Sequence, residues 1–185
     1  MVGVTRPMRY TTPVPGDHLV LRPRLIAGAA ARFDHRVTML VAAAGMGKTT
    51  LLAQAIAENV LAPRGTDVWL ACEPADSDAN HLLGGLAHAV VRAGLAEAPP
   101  GSLAALCNCL AARTTGPLCL VLDDAHEIEP GSSGSALLRD LVASLPQGVG
   151  LWLAARREPA VPLTRLRAQR QAHAIDAADL LFTDA

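Results

Sequence analysis

A glycine-rich turn lies between an apolar run and a helical segment, and its residue types suit the binding of phosphate. The run 37–44 is uncharged and contains β-branched residues, which predicts a buried strand. Gly45 and Gly47 interrupt the run, and Lys48 and Thr49 open a segment of good helix formers. Glycines let several backbone N–H groups point into one concavity, where a new helix adds its positive N-terminal end. The pattern predicts a phosphate-binding loop. In such a loop the Lys48 ammonium contacts the β- and γ-phosphates, and the Thr49 hydroxyl coordinates magnesium.

The lysine of this loop is the only one in the chain. Sixteen residues are basic and fifteen of them are arginines, so lysine is used only where a compact ammonium suits a phosphate. Ala42 departs from the general phosphate-loop motif, which has glycine at that position. The alternative interpretation is an ordinary Ala/Gly-rich turn between a strand and a helix.

Two adjacent carboxylates follow a second apolar run, at 118–122. A strand that is apolar on both faces lies centrally in a covered sheet, and open α/β sheets bind ligands beyond the carboxyl ends of their strands. At this edge Asp123 would hold magnesium directly or through water, and Asp124 would orient or deprotonate an attacking water. Repulsion between neighbouring carboxylates also favours a cation nearby. Taken alone, an aspartate at a strand end is equally consistent with a turn or a helix cap.

Arg156 and His126 are two further polar residues near strand ends, and each has a structural alternative. Arg156 follows the apolar run 150–155. An arginine there either reaches a γ-phosphate and reports its presence, or is an ordinary surface arginine. His126 lies in a loop of turn-forming residues, where it either senses the γ-phosphate or a partner, or is simply part of the loop.

The rest of the chain alternates apolar runs with helical segments, which predicts an α/β domain. Residues 1–20 contain three prolines and little periodicity, so we expect a flexible lead-in before a domain that spans 21–185. Arg22 and Arg24 precede a short helix. They belong either to a solvated basic edge or to a segment that covers a nucleotide base.

Composition limits the classes of function. Hydrophobic residues make up 51% of the chain but aromatic residues only 3%, so the core must consist of Ala, Leu and Val. A net charge of −1 supplies no basic field to attract nucleic acid. Because no apolar run is long enough to span a bilayer and none follows the N-terminal arginines, we expect a cytoplasmic protein without membrane contact. The four cysteines lack the spacing of a zinc site or a disulfide scaffold, and we expect reduced thiols.

Taken in order, these motifs resemble the ATPase domain of the STAND class of signalling NTPases, in particular that of MalT-like and large LuxR-type transcriptional activators. They are Arg-Pro-Arg-Leu at 22–25, Ala-x-x-Gly-x-Gly-Lys-Thr-Thr-Leu-Leu at 42–52, Leu-Val-Leu-Asp-Asp-x-His at 120–126, and a strand that ends at Arg156. The resemblance implies a three-layer α/β/α P-loop NTPase with about five parallel strands in the additional-strand order. The expected order is final strand, P-loop strand, Arg156 strand, Asp123 strand and the strand of Trp69.

The resemblance also implies ATP or ADP with Mg²⁺ as ligands. It implies catalytic roles for Asp124, Lys48 and Arg156. It also implies that Thr49 and Asp123 contact magnesium. The expected nucleotide contacts are Ala44, Gly45, Met46, Gly47, Lys48, Thr49, Thr50, Arg24 and Leu25.

The implied function is that of a switch. ADP holds a closed form, and ATP with an inducer opens it for self-association and DNA binding. We expect the lid, the sensor repeats and the helix-turn-helix of such proteins to be absent from residues 21–185, so we expect no direct nucleic-acid contact and slow hydrolysis. Two alternatives stay open: a nucleotide-binding module without useful turnover, and a small-molecule P-loop kinase, against which the paired aspartates argue.

Overall fold

A computed structural model describes residues 7–15, 23–113, 116–159 and 161–180. Helices and strands alternate along most of these residues. The helices are α1 (Pro23–Ala29), α2 (Lys48–Leu61), α3 (Ala79–Arg92), α4 (Leu103–Arg113), α5 (Ser133–Ser144) and α6 (Leu163–Ala168). The strands are β1 (Val37–Val41), β2 (Thr66–Ala71), β3 (Leu118–Asp123), β4 (Val149–Ala155) and β5 (Ala172–Ile175). Short 3-10 turns lie at Pro7–Tyr10, Ala30–Phe33, Pro74–Ser77 and Ala125–Glu127.

The five strands form one parallel sheet in the order β2-β3-β4-β1-β5. Strand β4, which ends just before Arg156, lies between the strand of the glycine-rich loop and the strand of Asp123. This is the additional-strand order, so the predicted fold and strand order are confirmed. Parallel neighbours need long crossover connections, and the helices supply them.

Backbone hydrogen bonds align the carboxyl ends of four strands. The Ala42 N–H donates to the Ala155 carbonyl at 3.2 Å, and the Cys72 N–H donates to the Asp123 carbonyl at 2.8 Å. The segments that follow β1, β4, β3 and β2 therefore begin side by side along one edge of the sheet, where ligands bind in this class of fold.

Apolar layers cover both faces of the sheet. Helices α1 and α2 cover one face, where Leu52 and Trp152 are completely buried. Helices α3 to α6 cover the other, where Leu86 and Leu141 are almost completely buried. Strands β3 and β4 are buried along their whole length. Each fully buried aliphatic side chain contributes about 1.5–3 kcal/mol to folding, so the central strands hold the functional edge rigidly.

One buried ion pair links the turn after α1 to strand β2. Arg32 is 2% exposed and donates from Nε and Nη2 to the two carboxylate oxygens of Asp67, both at 2.8 Å. The guanidinium also donates to the carbonyls of Ala29 and Ala55, and its Cζ lies 5.3 Å from the centroid of the Trp152 ring. The pair is therefore fully desolvated but well compensated by hydrogen bonds.

Part of the predicted lead-in packs against the domain. Residues 7–10 form a 3-10 turn, and Arg9 is 8% exposed, a burial that the sequence pattern did not indicate. Residues 1–6 and 16–20, as well as Arg22, lie outside the described residues. The division of the chain at residue 21 stays a prediction.

Two further sequence expectations concern membranes and cysteines. In the part of the chain that the structure describes, no helix has both the length and the apolar character needed to cross a bilayer. All four cysteines are free, and burial raises the pKa of the Cys72 and Cys119 thiols well above its usual range. These thiols are therefore unreactive core side chains.

Candidate functional site

The loop between β1 and α2 turns through two glycines in the left-handed region. Gly45 has φ 78° and Gly47 has φ 81°, a conformation that costs free energy for residues with a side chain. Gly47 precedes the first residue of α2, so the unpaired N–H groups of the first helical turn begin in the loop. Ala44 and Gly45 are exposed. The loop thus offers backbone donors and a helix N-terminus to a ligand, which is the geometry of an anion site.

Lys48 is the first residue of α2, and its side chain folds into the loop. Its Nζ donates to the carbonyls of Ala42 and Ala43 at 2.8 and 2.9 Å, and the residue is 7% exposed. Burial lowers the pKa of the Lys48 ammonium, the Asp124 carboxylate opposes this shift, and the Arg156 charge adds to it. The ammonium is therefore held between charges of both signs, and a phosphate beside it would stabilise its charged form.

A side-chain hydrogen bond joins the loop to the end of β3. Thr49 Oγ1 donates to Asp123 Oδ2 at 2.7 Å, while Asp123 Oδ1 accepts from the Asp124 N–H at 3.0 Å. Asp123 is 3% exposed, and burial raises its pKa, an effect that the Thr49 hydrogen bond opposes and the Asp124 charge reinforces. The structure thus brings together the two segments that the sequence assigned to the same edge.

Asp124 adopts an uncommon backbone conformation. Its φ is 51° and its ψ is 34°, in the left-handed region, which aspartate tolerates better than most side chains. The chain therefore bends sharply between β3 and the 3-10 turn that follows. The Asp124 side chain is 45% exposed, so its carboxylate remains available beside its buried neighbour.

His126 and Arg156 line one cleft next to these carboxylates. The cleft has a volume of about 440 Å³, and its remaining walls are Pro74, Glu127, Glu129 and Arg157. The His126 ring is 9% exposed, with Nδ1 3.8 Å from Asp124 Oδ1 and Nε2 3.4 Å from Glu127 Oε1. Neither ring nitrogen has a hydrogen-bond partner among the described residues. Burial lowers the pKa of the imidazole, an effect that the Asp124 charge opposes, and so favours the neutral ring.

Arg24 and Leu25, the two nucleotide contacts expected on α1, lie in different surroundings in the structure. Leu25 is 6% exposed and belongs to the same apolar cluster as Met46 of the glycine-rich loop. Arg24 is exposed, and its guanidinium donates to the Asp179 carbonyl at 3.1 Å, in the segment after β5. Leu25 therefore packs in the core on the face of the sheet that α1 and α2 cover, whereas the Arg24 guanidinium is directed to Asp179.

Three charged residues that the sequence patterns did not reveal adjoin the Pro74–Ser77 turn, whose Pro74 lines the cleft. Glu73 and Asp76 cap the Pro74–Ser77 turn reciprocally, and Arg9 forms ion pairs with both. The Glu-x-x-Asp spacing differs from the usual Ser/Thr-x-x-Glu capping box, so it is only a weak signal of this turn in the sequence. Arg9 carried no such signal, because an isolated arginine in a proline-containing segment has the same pattern whether it is exposed or buried.

Comparison with known proteins identifies the family to which this fold belongs. Residues 31–159 match the family model described as an AAA domain. The HTH-type transcriptional regulator MalT of two Klebsiella pneumoniae strains is 28% identical over 191 residues, covering 96% of this chain and 20% of the relative. The chain thus spans about one fifth of the length of these curated relatives.

Solved structures extend the likeness at the level of the fold. Cdc6p from Pyrobaculum aerophilum matches with a TM-score of 0.57 and 17% identity, over 90% of this chain and 48% of that chain. The Orc1 protein from Aeropyrum pernix, solved in complex with DNA, matches with a TM-score of 0.57 and 16% identity, over 87% and 45%. With its strand order, its glycine-rich loop and the matched family model, the chain belongs to the AAA domain family and is a nucleotide-binding module of the AAA-like P-loop NTPase type.

Proposed function

We propose that this chain is the ATP-binding and slowly ATP-hydrolysing switch domain of a LuxR/MalT-type transcription regulator. The observation that carries the proposal is the 2.7 Å hydrogen bond between Thr49 Oγ1 and Asp123 Oδ2. This contact joins a phosphate-type loop to an acidic strand end across the intervening strand β4. Such an arrangement suits a triphosphate whose terminal group must meet both segments.

Thr49 and Asp123 are the residues that would hold Mg²⁺. A hydroxyl and a carboxylate oxygen are the hard ligands that this ion prefers, and they converge in a largely buried position, so the residues fit the ion. Among the described residues no group of three or more His, Cys, Asp or Glu side chains could form a metal cage. Magnesium usually needs only one or two protein ligands beside phosphates, where it would neutralise charge on the phosphate oxygens.

The protein's own residues would position the reacting groups. The N–H groups of residues 44–50 would bind the phosphates, and the Lys48 ammonium would exchange its loop carbonyls for phosphate oxygens. The Asp124 carboxylate would orient the attacking water and accept its proton. Arg156 would contact the γ-phosphate from the cleft, and Leu25 would lie near the adenine. Arg24 is proposed only as part of the edge near the base, because its guanidinium is directed to Asp179.

The role in regulation rests on the similarity to MalT, which covers 96% of this chain. In that role the protein acts in the cytoplasm. Its ADP-bound and ATP-bound forms differ in their tendency to self-associate. We propose no direct nucleic-acid contact for this chain, whose net charge is −1. Light scattering can measure the molar mass of the protein with ADP and with a non-hydrolysable ATP analogue. The same molar mass in both states overturns the proposal of nucleotide-dependent self-association.

Calorimetric titration and phosphate release test the site. The chain should bind ATP and ADP, with magnesium strengthening the binding of ATP. Lys48→Met should weaken ATP binding by roughly 100-fold or more, since it removes a charge-assisted contact and leaves the loop otherwise intact. Asp124→Asn should keep ATP binding and lower phosphate release by roughly 100-fold or more. Arg64→Ala, which removes an exposed arginine paired with Asp34, is the control and should change neither.

The alternatives give different results in the same assays. A titration that stays flat with both nucleotides overturns the proposal. Binding without phosphate release from the unaltered chain identifies a nucleotide-binding module without turnover. Phosphate release that requires an added acceptor molecule identifies a kinase, whereas release in water alone rejects one.

A further inference from the structure

An arginine that precedes the first helix is buried in an ion-pair cluster at the carboxyl edge of the sheet. Arg9 donates from Nη2 to both carboxylate oxygens of Asp76, with 2.6 Å to Oδ2, and from Nη1 to Glu73 Oε1 at 3.0 Å. Its Nε donates to the Ala71 carbonyl at the end of β2 at 3.1 Å. Arg9 is 8% exposed and Asp76 is completely buried. Because the guanidinium and the carboxylate are both buried and are held by several charge-assisted hydrogen bonds, each restricts the position of the other.

Two glycines provide the space for this cluster. A Cβ atom on Gly85 of α3 would lie 2.7 Å from Arg9 Nη2, and one on Gly134 of α5 would lie 1.9 Å from the Asp76 carbonyl oxygen. The Pro74–Ser77 turn is therefore packed between Arg9 on one side and the beginning of α5 on the other. Any displacement of Asp76 is transmitted to α5, because interiors at this density have no free volume to absorb it.

The same turn holds the segment that carries the acidic residues. The Glu129 N–H donates to Ser77 Oγ at 3.0 Å, and Ser77 Oγ lies 3.4 Å from the Glu127 carbonyl that accepts from it. From α5, Ser133 Oγ donates to the Ser77 carbonyl at 3.3 Å. These contacts tie the Pro74–Ser77 turn to the middle and the C-terminal end of the segment 124–133, which begins with Asp124.

We infer that Arg9 is a positioning residue for hydrolysis. It fixes the Pro74–Ser77 turn through Asp76, and through Ser77 this turn fixes the segment 124–133 with Asp124 and His126. Arg9 touches neither the glycine-rich loop nor Lys48, so its loss should leave nucleotide binding intact while displacing the residue that orients water. Misplacement by about 1 Å is enough to cost roughly 100-fold in rate. The kinetic part of this inference rests on the proposed function, whereas its structural part does not.

The chain offers a matched control at the other end of α5. Arg36 donates from Nε and Nη2 to the carbonyls of Val142, Ala143 and Leu145, at 2.7, 2.8 and 2.9 Å. Like Arg9, it anchors a remote part of the chain through several hydrogen bonds, but it precedes β1 at the opposite end of the sheet. Arg36→Ala therefore reproduces the loss of a structural arginine without touching the carboxyl edge.

Steady-state kinetics on the full chain provide the first test, at a temperature where each variant is fully folded. Arg9→Ala should lower kcat for ATP hydrolysis by roughly 10- to 100-fold and leave the Kd for ATP within about 3-fold. Ser77→Ala removes only the hydroxyl link and should lower kcat in the same direction, so the inference remains testable if Arg9→Ala does not fold. Arg36→Ala should lower Tm without this selective loss of kcat. An unchanged kcat in Arg9→Ala and Ser77→Ala, or an equal rise in Kd, overturns the inference.

Hydrogen exchange followed by mass spectrometry provides a test that needs no turnover. Arg9→Ala and Ser77→Ala should speed exchange in 124–133, with the Glu129 amide as the direct reporter, and leave residues 42–50 unchanged. Arg36→Ala should speed exchange near 142–149 only. Unchanged exchange in 124–133 overturns the inference even if the unaltered chain hydrolyses ATP. Faster exchange there supports the structural part of the inference even if the chain hydrolyses no ATP, a result that would overturn the proposed hydrolysis and, with it, the kinetic part.

Discussion

Replacing Asp123 with asparagine should make the protein more stable and its nucleotide binding less responsive to magnesium. Asp123 is 3% exposed, and burial raises its pKa, so its ionised form opposes folding. Asparagine keeps both hydrogen bonds, because its Oδ1 can accept from the Asp124 N–H while its Nδ2 donates to the Thr49 hydroxyl. Removing an unpaired buried charge should raise the free energy of unfolding at pH 7 by on the order of 1 kcal/mol.

The pH dependence of this gain follows from the direction of the pKa shift. With a folded-state pKa above the unfolded value, the carboxylate costs stability as pH rises through that interval, and the cost then stays constant. Asp123→Asn should therefore differ most from the unaltered chain at neutral pH and least in acid, where the carboxyl group is protonated in both states. Urea unfolding at a series of pH values measures the difference.

Asp123→Asn should also weaken the magnesium-dependent binding of ATP, although it stabilises the fold. A contact to a charged group contributes about 1.5–3 kcal/mol, so the magnesium-dependent part of ATP affinity should fall by roughly 10- to 100-fold. Calorimetric titration with and without magnesium measures it.

Asp67→Asn is the matched control, since Asp67 is also a buried aspartate but is paired with Arg32. It should lower the free energy of unfolding by about 3–5 kcal/mol, because it removes one partner of a buried ion pair. If Asp123→Asn destabilises the protein to a similar extent and leaves the effect of magnesium unchanged, Asp123 is a structural partner of Thr49 and the reasoning is refuted.

Three further predictions concern the loop, pH and the buried ion pair. Gly47→Ala should cost about 1 kcal/mol of stability through its positive φ and weaken ATP binding, as measured by urea unfolding and titration. The free energy of unfolding should fall as pH drops below about 6.5, because burial lowers the pKa of both His35 and His126 and these two imidazoles bind fewer protons in the folded protein than in the unfolded chain. Replacing both histidines with glutamine should remove this fall, and an unaltered profile between about pH 7 and about 5.5 in that variant contradicts the prediction. Arg32→Ala should lower the free energy of unfolding by about 3–5 kcal/mol. Arg64→Ala, which removes an exposed ion pair, should lower it by less than about 1 kcal/mol. Similar losses of stability in the two variants would show that burial of the ion pair is not the deciding factor.

The central strands were predictable because their determinants are local, whereas the order of the strands followed from the resemblance to the STAND class of NTPases. The runs before Ala42, Asp123 and Arg156 are apolar on both faces, which identifies central strands, and the residues at their ends fall on one edge in any parallel sheet. Thr49 and Asp123 therefore meet as the two motifs predicted. The 2.7 Å hydrogen bond between their side chains could be seen only in the structure, because sequence spacing does not determine distances between segments.

The parts that were not predictable depend on tertiary contacts. Arg9 is buried by Asp76, 67 residues further along the chain, and no local pattern encodes that pairing. Helix α6 ends at Ala168, and Arg170 takes a φ of 55° as the chain turns into β5. Packing of the next strand against the sheet overrides helix propensity there.

The single lysine makes the loop the only lysine target for amine chemistry in this chain. Acylation or reductive alkylation of a side-chain amine here can occur only at Lys48, which is 7% exposed and bonded to the loop's own carbonyls. The fifteen arginines keep their charge under such reagents, so the ion pairs that stabilise the fold survive. An amine-directed label or modifying enzyme that reaches this side chain would thus report on, or block, the phosphate site while leaving the arginine side chains unmodified.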